Sequence, residues 1–131
     1  MYYTILQGSD KGNMTYSFSV SVIEKGIHFQ EASDYFARDD DPGMEMSRSL
    51  LIPPSSFDAL LRLLMKRCQL ELSLPERFEE KCLLLKNLLA RLDASSEFYK
   101  PGRGSGGANL GLLRRWLEEE GIPSESSQWV Y

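Results

Sequence analysis

Residues 14 to 23 read Met-Thr-Tyr-Ser-Phe-Ser-Val-Ser-Val-Ile, an alternation of large apolar and small polar side chains. Successive side chains of a strand point to opposite faces. Met14, Tyr16, Phe18, Val20 and Val22 therefore share one face, and Thr15, Ser17, Ser19 and Ser21 the other. One side of such a strand has to be covered and the other can meet water, as in an antiparallel sheet with a single packed face. After Ser56 the apolar residues recur at helical spacing instead. The expected fold is α+β: an antiparallel sheet of four strands in the N-terminal half, five if the tail joins it, packed against three C-terminal helices.

A chain of 131 residues can bury a core as one domain. We divide it into a sheet portion (1–54), a helical portion (55–121) and a docked aromatic tail (122–131). Tyr2 to Gln7 form a first strand, and the glycine-bearing segment 8–13 a turn. Glu24-Lys25-Gly26 is a tight hairpin connection into a third strand carrying Ile27 and Phe29, with His28 and Gln30 on its other face. Segment 33–43 reads as a loop, and Met44 to Ile52 as a fourth strand ended by Pro53-Pro54. The first helix starts at Ser55 or Ser56 in a capping arrangement with Asp58, and buries Phe57, Leu60, Leu61, Leu64 and Cys68.

Ser73, Pro75 and Glu76 are expected to open the second helix. Its stripe is Phe78, Cys82, Leu85, Leu88, Leu89 and Leu92. Leu83 and Leu84 widen that stripe to two sides, which suits a central helix or a homodimer face. Residues 94 to 109 read as irregular. A third helix runs from about Leu110 to Glu120, stopped by Gly121, Ile122 and Pro123. The aromatic end, Gln128-Trp129-Val130-Tyr131, is expected to dock on the fold as an edge strand.

Charge is unevenly placed. Residues 1–55 carry Lys11, Lys25, Arg38 and Arg48 against eight acids, whereas residues 56–131 carry eleven groups of each sign. The acid excess therefore belongs to the sheet half, which disfavours nucleic acid and anionic membranes and favours a basic protein partner. No run of about 18 apolar residues exists to span a membrane, and the start lacks the pattern of a signal peptide. The expectation is a cytoplasmic protein. Two cysteines, Cys68 and Cys82, fall in apolar stripes, where a thiol packs as a small hydrophobe. One histidine and no Cys-x-x-Cys leave no basis for a zinc site, and the sequence implies no cofactor.

Three clusters invite a chemical reading. The loop with Lys100, Arg103, Gly104, Gly106 and Gly107 leads into a helix and could cradle a phosphate. It lacks the Gly-Lys-Ser/Thr ending of a Walker A loop and the strand-helix-strand context of a dinucleotide fingerprint. A phosphate-ligand enzyme using it is the weaker alternative. Asp39, Asp40 and Asp41, with Asp34 and Glu45 nearby, lack the closing glutamate of a calcium loop and read better as contacts for lysine and arginine on another protein. Glu118, Glu119 and Glu120 oppose the dipole of the third helix, which solvation or a basic partner would explain.

Half of the aromatic rings lie in the first 36 residues: Tyr2, Tyr3, Tyr16, Phe18, Phe29, Tyr35 and Phe36. Element order there resembles that of single-strand-binding transcriptional coactivators, implying stacking of bases on an aromatic sheet. The net acidity of the sheet half argues against it. In size, charge and layout the chain is similar to small bacterial immunity proteins, which neutralise a cognate toxin, often a nuclease, by direct binding. That likeness implies a non-enzymatic inhibitor whose acids at 34, 39–41 and 45, or at 118–120, meet basic residues of the toxin. It carries no residue motif and transfers no site.

Overall fold

The computed structural model describes residues 1–10, 14–35, 44–100 and 108–130. Five strands, β1 (Tyr2–Asp10), β2 (Met14–Ile23), β3 (Gly26–Tyr35), β4 (Met44–Ile52) and β5 (Glu125–Val130), form one antiparallel sheet in the order β1-β2-β3-β4-β5. Three helices, α1 (Phe57–Arg67), α2 (Phe78–Ala94) and α3 (Ala108–Glu119), intervene between β4 and β5. The α+β fold is as expected, and the tail supplies the fifth strand. Among the described residues no helix is long and apolar enough to cross a membrane.

Register fixes the two faces. Phe18 stands opposite Glu31, Val20 opposite Phe29, and Phe29 opposite Leu50. Phe18, Val20, Ile27, Phe29 and Ile52 are wholly enclosed, as the period of two in β2 demands. In β1 a bulge between Thr4 and Leu6 turns both Ile5 and Leu6 inward. The other face carries Thr15, Ser17, Ser21 and His28, all half-buried, and Ser19, which is only 5% exposed.

Packed on the apolar face, α1 lies between its two neighbours and is the central helix, in place of α2. It buries Phe57, Leu60, Leu61, Leu63, Leu64 and Met65. Lys81 of α2 pairs with Asp58 of α1 at 2.8 Å, and Arg67 of α1 lies 4.7 Å above the Trp116 ring of α3. In α2, Leu83 is 58% and Phe78 57% exposed, so its buried surface is a single stripe. The apolar run 83–85 widens the pattern in sequence, yet neighbouring helical residues point about 100° apart, and one of the three must face out. Ser73, Pro75 and Glu76 precede the helix, whose N-cap is Arg77 with no side-chain cap; α1 follows a 3-10 turn at Pro54–Ser56 and has Ser56 as its N-cap, as expected, but without a side-chain capping bond.

All three helices stop in the same way. Leu70 N–H bonds to Met65 O, Glu97 N–H to Leu92 O, and Ile122 N–H to Leu117 O, each after a residue at positive φ: Gln69, Ser96 and Gly121. This is the Schellman closure, which satisfies the last carbonyls of a helix. The segment after α2 is part of the core. Phe98 is fully enclosed, edge-on to Phe18 at 5.3 Å and 6.3 Å from Trp116. At the β2–β3 turn, Gly26 has φ +135°, and a Cβ there would sit 2.0 Å from the Ile52 carbonyl oxygen. At Gly121, φ is +68° but the space around it is open. Gly26→Ala is therefore expected to destabilise the fold by about 3 kcal/mol, and Gly121→Ala by about 1–2 kcal/mol, in urea unfolding. Equal losses would contradict the close approach of β3 to the end of β4.

Candidate functional site

Period two in β3 runs from Ile27 and Phe29 to Glu31, and so carries a carboxyl onto the apolar face. Glu31 is 3% exposed. Tyr16 of β2 donates its O–H to Glu31 Oε2 at 2.5 Å. Asn109, in the first turn of α3, is 1% exposed and anchors this pair. Its Oδ1 accepts the Tyr99 N–H at 2.6 Å, while its Nδ2 donates to Tyr99 O at 3.0 Å and to the Tyr16 hydroxyl at 2.7 Å. Because Oδ1 meets a donor, the orientation of the amide is fixed. Tyr16 oxygen then accepts from Asn109, and its own proton must go to Glu31.

Desolvation pushes the Glu31 carboxyl up from its ordinary range. The Tyr16 bond, the backbone amides of Leu110 and Asn109, and the charge of Arg48 on the neighbouring strand draw it back. Oε1 accepts no bond of good geometry among the described residues. Burial, and then Glu31, push the Tyr16 phenol far up, so it stays a proton donor at neutral pH. Enclosed on all sides, these three side chains join β2, β3, α3 and the segment after α2. The alternation in the sequence of β2 places Tyr16 on the covered face but does not single out Glu31 or Asn109. The signal was available: extending the β3 alternation by one step places Glu31 in the core.

The acids singled out in the sequence fall in three places. Asp34 and Glu45 are directly opposite each other across β3 and β4, on the face that the helices leave open. Register puts Glu125 on the same face, beside Leu51. The described residues of that face include no lysine or arginine, and they are dominated by short hydroxyl side chains. Gln30 donates to Ser47 at 3.1 Å, and Ser49 and Ser127 share a hydrogen bond of 2.5 Å. Glu118, Glu119 and Glu120 instead meet cations of their own chain: Arg114 at 3.2 Å, Arg67 at 3.1 Å and Lys66 at 3.0 Å. Asp39, Asp40 and Asp41 lie outside the described residues, in the chain between β3 and β4.

Of the phosphate candidates, Lys100 forms an ion pair with Asp93 and also donates to the Asp93 carbonyl oxygen. Arg103, Gly104, Gly106 and Gly107 lie outside the described residues. At the start of α3 the amides of Asn109 and Leu110 already face the carboxyl of Glu31, an internal acid where an external anion was expected. Tyr16, Phe18 and Phe29, three of the rings considered for base stacking, are enclosed beneath the helices. Cys68 and Cys82 are free thiols, both held above the usual range by burial. No group of three or more His, Cys, Asp or Glu side chains suited to a metal occurs among the described residues. No family model, curated protein or solved structure matches the chain.

A carboxyl whose folded value is raised binds its proton more tightly in the native state. Its contribution to stability is therefore full below the unfolded carboxyl value and is lost as pH rises through the folded one. Glu31→Gln keeps an acceptor for Tyr16 and removes the titration. The variant's melting temperature is expected to gain on the wild type as pH rises above the ordinary carboxyl value of about 4.3, until Glu31 is ionised in the fold. A difference independent of pH would show that Glu31 titrates as an ordinary carboxyl in the fold. Asn109→Ala leaves several buried groups unpaired and is expected to lose about 3 kcal/mol in urea unfolding.

Proposed function

We propose that this chain is a non-enzymatic protein-binding module that inhibits a basic partner by direct contact, in the manner of a small acidic immunity protein against a toxin such as a nuclease. The observation that carries this reading is the segregation of charge. Asp34, Glu45 and Glu125 occupy a hydroxyl-rich sheet face, and the described residues of that face include no Lys or Arg to balance them. Among the described residues Lys66, Arg67, Lys81, Lys100 and Arg114 form ion pairs within the helical portion, and Arg48 of the sheet portion lies on the opposite face, beside Glu31.

Like charges directly opposite across a ladder weaken it. The Asp34–Glu45 pair opposes folding slightly, and a basic partner would turn that repulsion into attraction. Short serine side chains lose little conformational freedom when covered, which suits a surface that binds. Electrostatic complementarity of this kind raises the association rate and rejects acidic competitors.

Asp34→Lys separates binding from stability. It places opposite charges across β3 and β4 and is expected to raise stability by about 0.2–1 kcal/mol. The same change should weaken capture of the partner. The decisive experiment is capture from host extract at low salt with the tagged chain and with the Asp34→Lys/Glu45→Lys variant, followed by a salt step and mass spectrometry. A stoichiometric basic protein held by the wild type, released by salt and lost by the variant is the expected result. Its toxicity should be relieved by co-expression of the wild type alone. Equal retention by the two proteins would remove the open face from consideration.

A further inference from the structure

The two edges of the sheet differ. β1 is interrupted by the bulge between Thr4 and Leu6, one of the devices by which natural sheets blunt an edge. β5 pairs with β4 in unbroken register from Glu125 to Val130, and it contains no proline, lysine or bulge. No described strand lies beyond it. Residues 125 to 128 are exposed.

A cleft of about 340 Å³ runs beside β5 on the side of the helices. Its lining includes Leu50 and Leu110 together with Arg48, Arg114, Ser126 and Gln128. Ser127, whose side chain belongs to the opposite face, also borders it, so the cleft reaches the backbone of the edge strand. The volume is within the range of ligand clefts, and the lining is mostly polar. Its two charged side chains are both arginines, in a chain whose net charge is −4. Among the described residues Arg114 pairs with Glu118, across an exposed pair in which both side chains are more than half accessible. Arg48 faces Glu31 within the sheet.

Gly111 supplies an independent argument. It is the fourth residue of α3, it lines the same cleft, and a Cβ there would meet nothing within 4 Å. Glycine is the least favourable residue in a helix apart from proline. No neighbour among the described residues requires it here, so what it provides is room in the cleft.

We propose that the outer edge of β5 accepts an extended segment of another protein as a sixth strand, with an aspartate or glutamate of that segment seated between Arg114 and Arg48. Backbone pairing supplies affinity, and the cleft reads alternate side chains. The guanidinium groups select a carboxylate by charge-assisted hydrogen bonds. This surface is separate from the acidic open face and has the opposite preference. One fold thus presents a carboxylate-binding edge and a cation-binding face.

The test is display selection of a randomised seven-residue peptide library on the full chain, with the affinities of enriched peptides then measured. Enriched peptides should share one acidic position between β-forming residues. Gly111→Leu, which fills the cleft and should melt somewhat higher through its better helix propensity, and Arg114→Glu should each weaken them about tenfold to a hundredfold, with no fall in melting temperature to account for the loss. Asp34→Lys/Glu45→Lys should bind them as the wild type does, so this result stands or falls apart from the open-face reading. Selection without a fixed acid, equal binding to Gly111→Leu, or no enrichment would overturn the proposal. So would inhibition of the wild type by free glutarate at the peptide's own affinity, which would make the cleft a small-anion site. Self-association through β5 in sedimentation would assign the edge to a second copy.

Discussion

The amide of Asn109 is the point on which the arrangement depends. Apolar contact alone would let α3 slide on the sheet, because burial is favourable at many registers. Asn109 removes that freedom. It reads the backbone of Tyr99 on one side and the Tyr16 hydroxyl on the other, and Tyr16 passes the polarity to Glu31. A buried network of this sort holds one geometry when its members pair with one another, as Asn109, Tyr16 and Glu31 Oε2 do. That pairing selects one position of α3 over β3 and β4. The same position sets the distance between α3 and β5, and hence the cleft that contains Gly111 and Arg114.

Electrostatics then divides the molecule. Ion pairs join α1 to α3 through Lys66–Glu120 and Arg67–Glu119, and α2 to α1 through Lys81–Asp58. Each involves exposed or half-exposed groups and contributes little alone. Their effect on charge distribution is larger. The cations are used among the helices, while the carboxylates at 34, 45 and 125 stay on the serine-rich face. The acid run of α3, unfavourable at a helix C-terminus, is offset by Lys66 and Arg67 in a neighbouring helix.

Much of the fold was legible because period is a backbone property. The alternation in β2 fixed two faces, Gly26 marked the hairpin, and Gly121-Ile122-Pro123 marked the end of α3. Caps were less legible. Ser73 to Glu76 have the composition of a helix start, but the chain turns helical only at Phe78. Burial of α2 was overestimated because Leu83 looks like core in sequence and is exposed in the fold. Phe98, in a stretch read as irregular, became core through contacts with β2 and α3, which no local pattern announces. The Tyr16–Glu31–Asn109 cluster joins residues 93 positions apart. The strand periods place Tyr16 and Glu31 on the buried face, but nothing local brings Asn109 to them.

Departures from local rules sort into two kinds, and the distinction bears on function. Glu31 breaks the apolar pattern, and Tyr16, Asn109 and the start of α3 compensate it. Glu118 to Glu120 oppose a helix dipole, and basic side chains of the same chain compensate them. Asp34 opposite Glu45 and Gly111 in α3 break rules as plainly, with no compensation among the described residues. A sequence consistent with its own fold at most positions concentrates unexplained conflict where something outside the fold is involved. The two uncompensated positions lie on different surfaces, the open sheet face and the cleft beside β5. One offers paired carboxylates. The other offers room between arginines. Local strain without internal relief thus points to two contacts of opposite charge preference.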